Sequence, residues 1–354
     1  MNLVDMVRSR IAGTDHVPFN GLGGAPALAK MDAMKTAPII PSLESIGLSP
    51  ESRHGGEPAT VRLRATLAYD GAAYSGWGVQ PTLPTVQGVL EHGLSLLIRR
   101  QIRTVVAGRT DAGVHASAQV VHFDLTPTEY SQLPRGKDLD PCEALLRRLY
   151  GILGRQGGAV VVHEISVAPE GFDARFSALW RRYSYRIADG PDKWDPLRRH
   201  VTMWHGEALD EGLMNDEAES LLGRHDFLTF CKPKPMATTI RTLTEFHFAR
   251  DAEGLLVAHV KADAFCHNMV RSLIGAALMV GDGRKEPGWM AHRLGERVRD
   301  SLSKLAVPHA LVLEEVAYPS DTLMGERAEL TRARRLPGSD TTHLPPRVDA
   351  PVGL

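Results

Sequence analysis

Gly108-Arg109-Thr110-Asp111-Ala112-Gly113-Val114-His115-Ala116 lies between two β-like runs, Arg103–Ala107 and Ala118–Asp124. Glycine takes positive φ at no steric cost, so glycines on either side of one carboxylate mark a tight turn between strands. An Asp in such a turn usually bonds its own backbone, and a connector needs nothing more. This turn gathers Arg109, Thr110, Asp111 and His115, which is more chemistry than a connector uses.

Working outward, Val61–Tyr69 alternates apolar Val61, Leu63, Ala65 and Leu67 with Arg62, Arg64 and Thr66, the period of a half-buried strand. Thr85 caps a helix in which Val86, Val89, Leu90, Leu94, Leu97 and Ile98 recur at steps of three and four. The segment 142–158 is helical in pattern and ends at Gly154, before a strand over 159–165. The second half repeats this rhythm. Strands are expected over 181–187, 240–248, 255–262 and 310–318, with helices over 210–223, stopped at Gly223, and 268–280, stopped at Gly281. The expectation is an α+β chain of two sandwich-like halves, 59–165 and 166–320, built on mainly antiparallel sheet, with strand order open. Residues 1–58 and the tail 321–354 read as flexible extensions, because their Gly- and Pro-rich composition cannot offset ordering entropy.

Bulk properties narrow the function classes. A chain of 354 residues, 43% hydrophobic and 23% charged, is an ordinary globular protein. It holds no apolar run of about 18 residues to span a membrane, and Met1–Arg10 lacks the apolar core of a secretion signal. Cys142, Cys231 and Cys266 are isolated and odd in number, which points to reduced cytosolic thiols and no zinc site. The 15 histidines form no H-E-x-x-H pair, so no metal is expected. A formal charge of −1 lacks the basic excess of a typical nucleic-acid binder, yet binding responds to local patches. Arg pairs stand at 99–100, 147–148, 181–182 and 198–199, each also readable as a solvated end of an element.

The opening stretch resembles the active-site motif of pseudouridine synthases of the TruA family. Tyr69–Trp77 is similar to that family's N-terminal signature, Thr85–Gln87 to the start of its first helix, and Gln119–Asp124 to the continuation of the motif. Phe172–Ser177 with Arg182–Tyr185, Gly223–Phe227, Thr239–Arg241, and Ala264–Phe265 with His267, Met269–Arg271 and Gly281 follow in family order over about 61–318. The chain departs from the pattern at Gly78, Asn268 and Ala310, and in 142–158. The resemblance implies a pseudouridine synthase fold whose halves meet at a central cleft. It implies Asp111 as the catalytic carboxylate acting without cofactor, and Arg271 as the cation that keeps it ionised. Tyr183 would pack on the target base, Arg109 would touch RNA backbone, and Leu311 would line the uracil pocket. The implied partner is the anticodon arm of tRNA, modified at positions 38 to 40 by a cytoplasmic homodimer.

Each residue also has a plainer reading. Tyr183 reads equally as a strand aromatic, Leu311 as core packing, and Arg271 as a helix-face arginine, although the apolar residues around it favour partial burial. His115 reads either as an RNA contact or as a loop residue satisfied by backbone, and has no catalytic role. An RNA-binding module or tRNA chaperone without chemistry is the rival function. The joint presence of Asp111, Tyr183 and Arg271 speaks against it, and a hydrolase would need a second carboxylate or a metal pair.

Overall fold

The computed structural model describes residues 60–233, 238–300, 302 and 304–332. The expected N-terminal extension and the last part of the expected tail lie outside these residues. Strands are β1 (Val61–Tyr69), β2 (Val105–Val106), β3 (His115–Leu125), β4 (Val160–Val167), β5 (Trp180–Asp189), β6 (Met203–His205), β7 (Gly223–Asp226), β8 (Ile240–Arg250), β9 (Leu256–Ala262) and β10 (Leu311–Ala317). Helices are α1 (Val86–Ile98), α2 (Pro127–Gln132), α3 (Pro141–Arg155), α4 (Glu211–Glu219), α5 (Met269–Gly281), α6 (Trp289–Glu296) and α7 (Met324–Arg332).

All ten strands belong to one sheet, ordered β4-β1-β3-β10-β5-β9-β8-β7, with β2 added to β3 and β6 to β5. Its pairings are antiparallel except β10 with β3 and β5 with β6, as the mainly antiparallel expectation requires. The alternation in β1 buries Leu63, Ala65, Leu67 and Tyr69. Thr85 caps α1 by accepting from the Gly88 N–H. The β10–β3 seam aligns Val312 with His115 and Leu313 with Ala116, so the sheet crosses from one half of the sequence to the other next to the Asp111 turn. Long sequence separation hides such a parallel pairing from any local pattern.

Three expectations need correction. The helix expected to run to Gly223 ends at Glu219; Gly223, at φ 105°, instead opens β7. Leu221, three residues past buried Ala218, is itself buried after the helix has stopped. The tail does not begin at Asp321, because α7 is docked. Met324 and Ala328 are buried, the Met324 carbonyl accepts from Ser177 Oγ at 3.0 Å, and Arg332 pairs with Asp173 at 3.1 Å. A side chain at Gly171 would meet the Gly325 Cα at 2.6 Å, so the helix seats on a glycine. Finally, Cys231 and Cys266 are not separate thiols: they form a disulfide with Cα atoms 5.7 Å apart, leaving Cys142 free and buried.

That bond closes a loop of 35 residues, and cross-linking such a loop removes about 4 kcal/mol of unfolded-chain entropy. Unfolded without reductant, the chain is expected to show one reactive thiol by alkylation and mass spectrometry, and three after reduction. The reduced protein should unfold at correspondingly lower denaturant.

A pH effect arises in the N-terminal half. His122 is buried, and its Nδ1 accepts from the Ala174 N–H at 2.9 Å, which requires an unprotonated ring nitrogen. Burial, with Arg62 nearby, pushes the ring down to about 4. The unfolded ring titrates near 6.5, so the unfolded state binds the extra proton first. Stability should be intact above about pH 6.5 and fall by up to about 3 kcal/mol towards pH 4. Denaturant melts across that range should show the slope, and His122→Gln should flatten it.

Candidate active site

The turn that carries Asp111 is built from three sides. The Asp111 carbonyl accepts from the Val114 N–H at 3.2 Å, closing a four-residue turn with Gly113 at φ 79°, the left-handed value that glycine takes without penalty. Thr110 is fixed at both ends: its carbonyl accepts from the Trp77 N–H at 3.1 Å, and its Oγ1 lies 2.8 Å from Tyr69 Oη. Gln119 Nε2 donates to that same Tyr69 oxygen at 3.2 Å and to the Gly108 carbonyl at 2.8 Å. Burial pushes the Tyr69 hydroxyl up to about 12 against the hydrogen bonds from Thr110 and Gln119, so it stays protonated at neutral pH. The loop after β1 packs so closely that a Cβ on Gly71 would sit 2.0 Å from the Val114 carbonyl oxygen. Thr110 therefore orders the turn, and the Tyr69–Trp77 stretch serves as its brace.

His115 is 5% exposed and both its ring nitrogens face protein groups. Nδ1 accepts from the Gly71 N–H at 3.1 Å and stands 3.1 Å from Asp70 Oδ1, while Nε2 lies 2.9 Å from the His200 carbonyl and 3.0 Å from that of His309. Of the two readings of His115, this geometry matches the loop residue satisfied by its surroundings.

The carboxylate itself is 26% exposed and is met from the other half of the sequence. Arg271, on the first turn of α5, places a guanidinium nitrogen 3.6 Å from Asp111 Oδ2 and donates from Nε to the Ala306 carbonyl at 2.7 Å. His267 places Nε2 3.4 Å from Oδ1. Tyr183 is 7% exposed, lies across β5 between Leu313 and Val260, and meets Phe265 edge-on with ring centroids 5.2 Å apart. Burial, reinforced by Tyr69, drives its hydroxyl far above the usual tyrosine range; Arg181 opposes this and Asp111 adds to it.

The structure thus gathers Asp111, Arg271 and Tyr183. Arg109 is exposed and lies over Gly78, where a Cβ would come within 3.8 Å of its Nε. The departure at position 78 thus leaves the Arg109 side chain uncovered on that side. Leu311 is buried at the start of β10, opposite Tyr185 and one residue from the strand that leads out of the turn. Sequence reading gave no role to His267, Phe265, Tyr69 or Gln119. His267 stands before the left-handed N-cap Asn268, outside the helical spacing of α5, so only its place just ahead of Met269–Arg271 in the matched motif marked it. No group of three or more metal-ligating side chains occurs among the described residues, and no described helix is long and apolar enough to cross a membrane.

A family model described as tRNA pseudouridine synthase matches residues 218–319. The chain is 49% identical over 287 residues to tRNA pseudouridine synthase A of Streptomyces griseus, covering 80% of this chain and 97% of that one. It is 48% identical over 282 residues to the protein of the same name from Leifsonia xyli, covering 78% and 98%. With the Bifidobacterium longum protein of that name it shares 42% over 303 residues, covering 78% and 99%.

Proposed function

Because the chain belongs to the tRNA pseudouridine synthase family, we propose that it isomerises uridine to pseudouridine in tRNA with Asp111 as the catalytic carboxylate. In this reaction the C1′–N1 bond breaks, the freed uracil turns, and C5 bonds to C1′; C5 then gives up its proton and N1 gains one. The observation that carries the reading is the pairing of one carboxylate with Arg271 beside a buried tyrosine. Asp111 acts either as nucleophile at C1′ or as the base that starts elimination, and both roles need it ionised close to the sugar. Tyr183 offers a ring face to the uracil, Leu311 closes the apolar side, and exposed Arg109 meets phosphate.

The substrate region is the anticodon arm, at positions 38 to 40, and the active form is a cytoplasmic homodimer; family membership supports both. Residues 59–165 form the half bearing Asp111, and 166–320 the half that completes the RNA surface. The experiment is tritium release from tRNA carrying 5-tritiated uridine, followed by mapping of pseudouridine along the product. Release with the label at positions 38 to 40 is expected. Bound tRNA with no release would favour the RNA-chaperone reading, and release from another arm would displace the positional one. Sedimentation of the free protein checks the dimer.

A further inference from the structure

Asp111 is met by two side chains, and only the arginine has a part in the reading above. His267 occupies a built position. The Lys232 N–H donates to its carbonyl at 2.8 Å, and its neighbour Cys266 is bonded to Cys231. The next residue, Asn268, takes the left-handed conformation at φ 69°, costly for a non-glycine and seen where surroundings impose it. That one residue turns the chain from the segment after β9 into α5, and its carbonyl accepts the Ser272 N–H at 2.9 Å. The turn brings residues 267 and 271 to the same carboxylate, one facing each oxygen: His267 Nε2 to Oδ1 at 3.4 Å and Arg271 to Oδ2 at 3.6 Å.

A carboxylate has a soft terminal torsion, so a single partner leaves its plane free to swing. Two donors on different oxygens fix the plane. Each oxygen keeps a second lone pair for the substrate, since an ionised carboxylate offers about four acceptor sites. Both contacts are longer than a formed hydrogen bond, as expected of a substrate-free site whose contacts tighten when substrate excludes water.

We propose that His267 is a positioning residue for the isomerisation: its Nε2–H holds Asp111 Oδ1 and, with Arg271 on Oδ2, orients the carboxylate towards the sugar. The inference rests on the reading of Asp111 as the catalytic carboxylate, so the test includes both residues.

Single-turnover rates with 5-tritiated tRNA at saturating enzyme are measured for wild type, Asp111→Asn, His267→Ala and His267→Gln, together with tRNA Kd and Tm. Asp111→Asn should be inactive. His267→Ala should slow the step about 10- to 100-fold, the worth of one charge-assisted hydrogen bond, with Kd within about twofold of wild type. His267→Gln, whose amide N–H reaches the same point, should recover to within about threefold of wild type, a rescue that a purely structural role would not give. If His267→Ala does not fold, His267→Leu replaces it, keeping bulk without a donor. A donor-free variant at wild-type rate, or a Gln variant as slow as the donor-free one, with Asp111→Asn inactive, overturns this inference alone. An active Asp111→Asn overturns the reading beneath it as well.

Discussion

Asp111→Asn is expected to lower turnover by at least about 10³-fold while leaving tRNA binding within about threefold of wild type. The change is isosteric, so the turn that presents the residue should survive. That turn is held by backbone and by Thr110, Tyr69 and Gln119, none of which bonds the Asp111 side chain. What is lost is the negative charge, which both candidate roles require. An amide oxygen is too weak a nucleophile for C1′ and too weak a base to start elimination. The stability cost should be small. The contact with Arg271 is 3.6 Å long with the carboxylate 26% exposed, and such pairs contribute at most about 1 kcal/mol. Asp111→Glu is the sharper companion, because it keeps the charge and moves it by one methylene. The Glu variant should also lose most activity, since misplacement of about 1 Å costs about 10²-fold. Rate by tritium release, binding by filter retention and Tm by calorimetry separate the three quantities. An Asn variant that turned over within tenfold of wild type would remove Asp111 from the chemistry.

Local signals carried much of this molecule and distant ones did not. The alternation Val61–Tyr69 sufficed for β1, and Thr85 with the spacing from Val86 to Ile98 sufficed for α1. The Asp111 turn was visible because its requirement is local: positive φ at Gly113 between two strands. Its bracing was visible only as a second motif, since nothing in the order of residues says that Thr110 and Gln119 meet at the Tyr69 hydroxyl. The β10–β3 seam, the Cys231–Cys266 bond and the approach of His267 to Asp111 bring together residues 35 to about 200 positions apart. Such contacts are set by the closing of the whole sheet. Helix ends failed for a different reason. Leu221 continues an apolar period that the backbone has already left, and α7 keeps only Met324 and Ala328 buried, too thin a stripe to stand out.

Arg181→Met is expected to destabilise the fold by about 3–5 kcal/mol, the largest stability effect of a single side chain at the site. Arg181 is 6% exposed on β5 and makes no ion pair among the described residues. It donates instead to three carbonyls: Ala107 at 2.7 Å, Arg175 at 2.8 Å and Asp263 at 2.9 Å. Burial lowers its pKa, with Tyr318, Tyr183 and Asp263 opposing, and a guanidinium tolerates that without losing its proton. Ala107 leads into the Asp111 turn, and Asp263 leads into the segment bearing Phe265 and His267. One side chain therefore ties the backbone on both sides of the site. Methionine fills similar volume, so packing is largely kept and the cost isolates the donors. Three carbonyls lose their partners at about 1–3 kcal/mol each, offset in part because no charge need be desolvated. Lysine has one nitrogen where arginine spreads its donors over a fork, so Arg181→Lys should recover only part of the loss. For a fold of this size the Met variant should melt about 10 °C below wild type, with Lys between them. Turnover measured below both transitions should fall as well, because the two walls that meet at Asp111 are no longer fixed to one another. A Met variant melting within about 2 °C of wild type would mean that water replaces the guanidinium, and that the carbonyls rather than the arginine set the spacing of the walls.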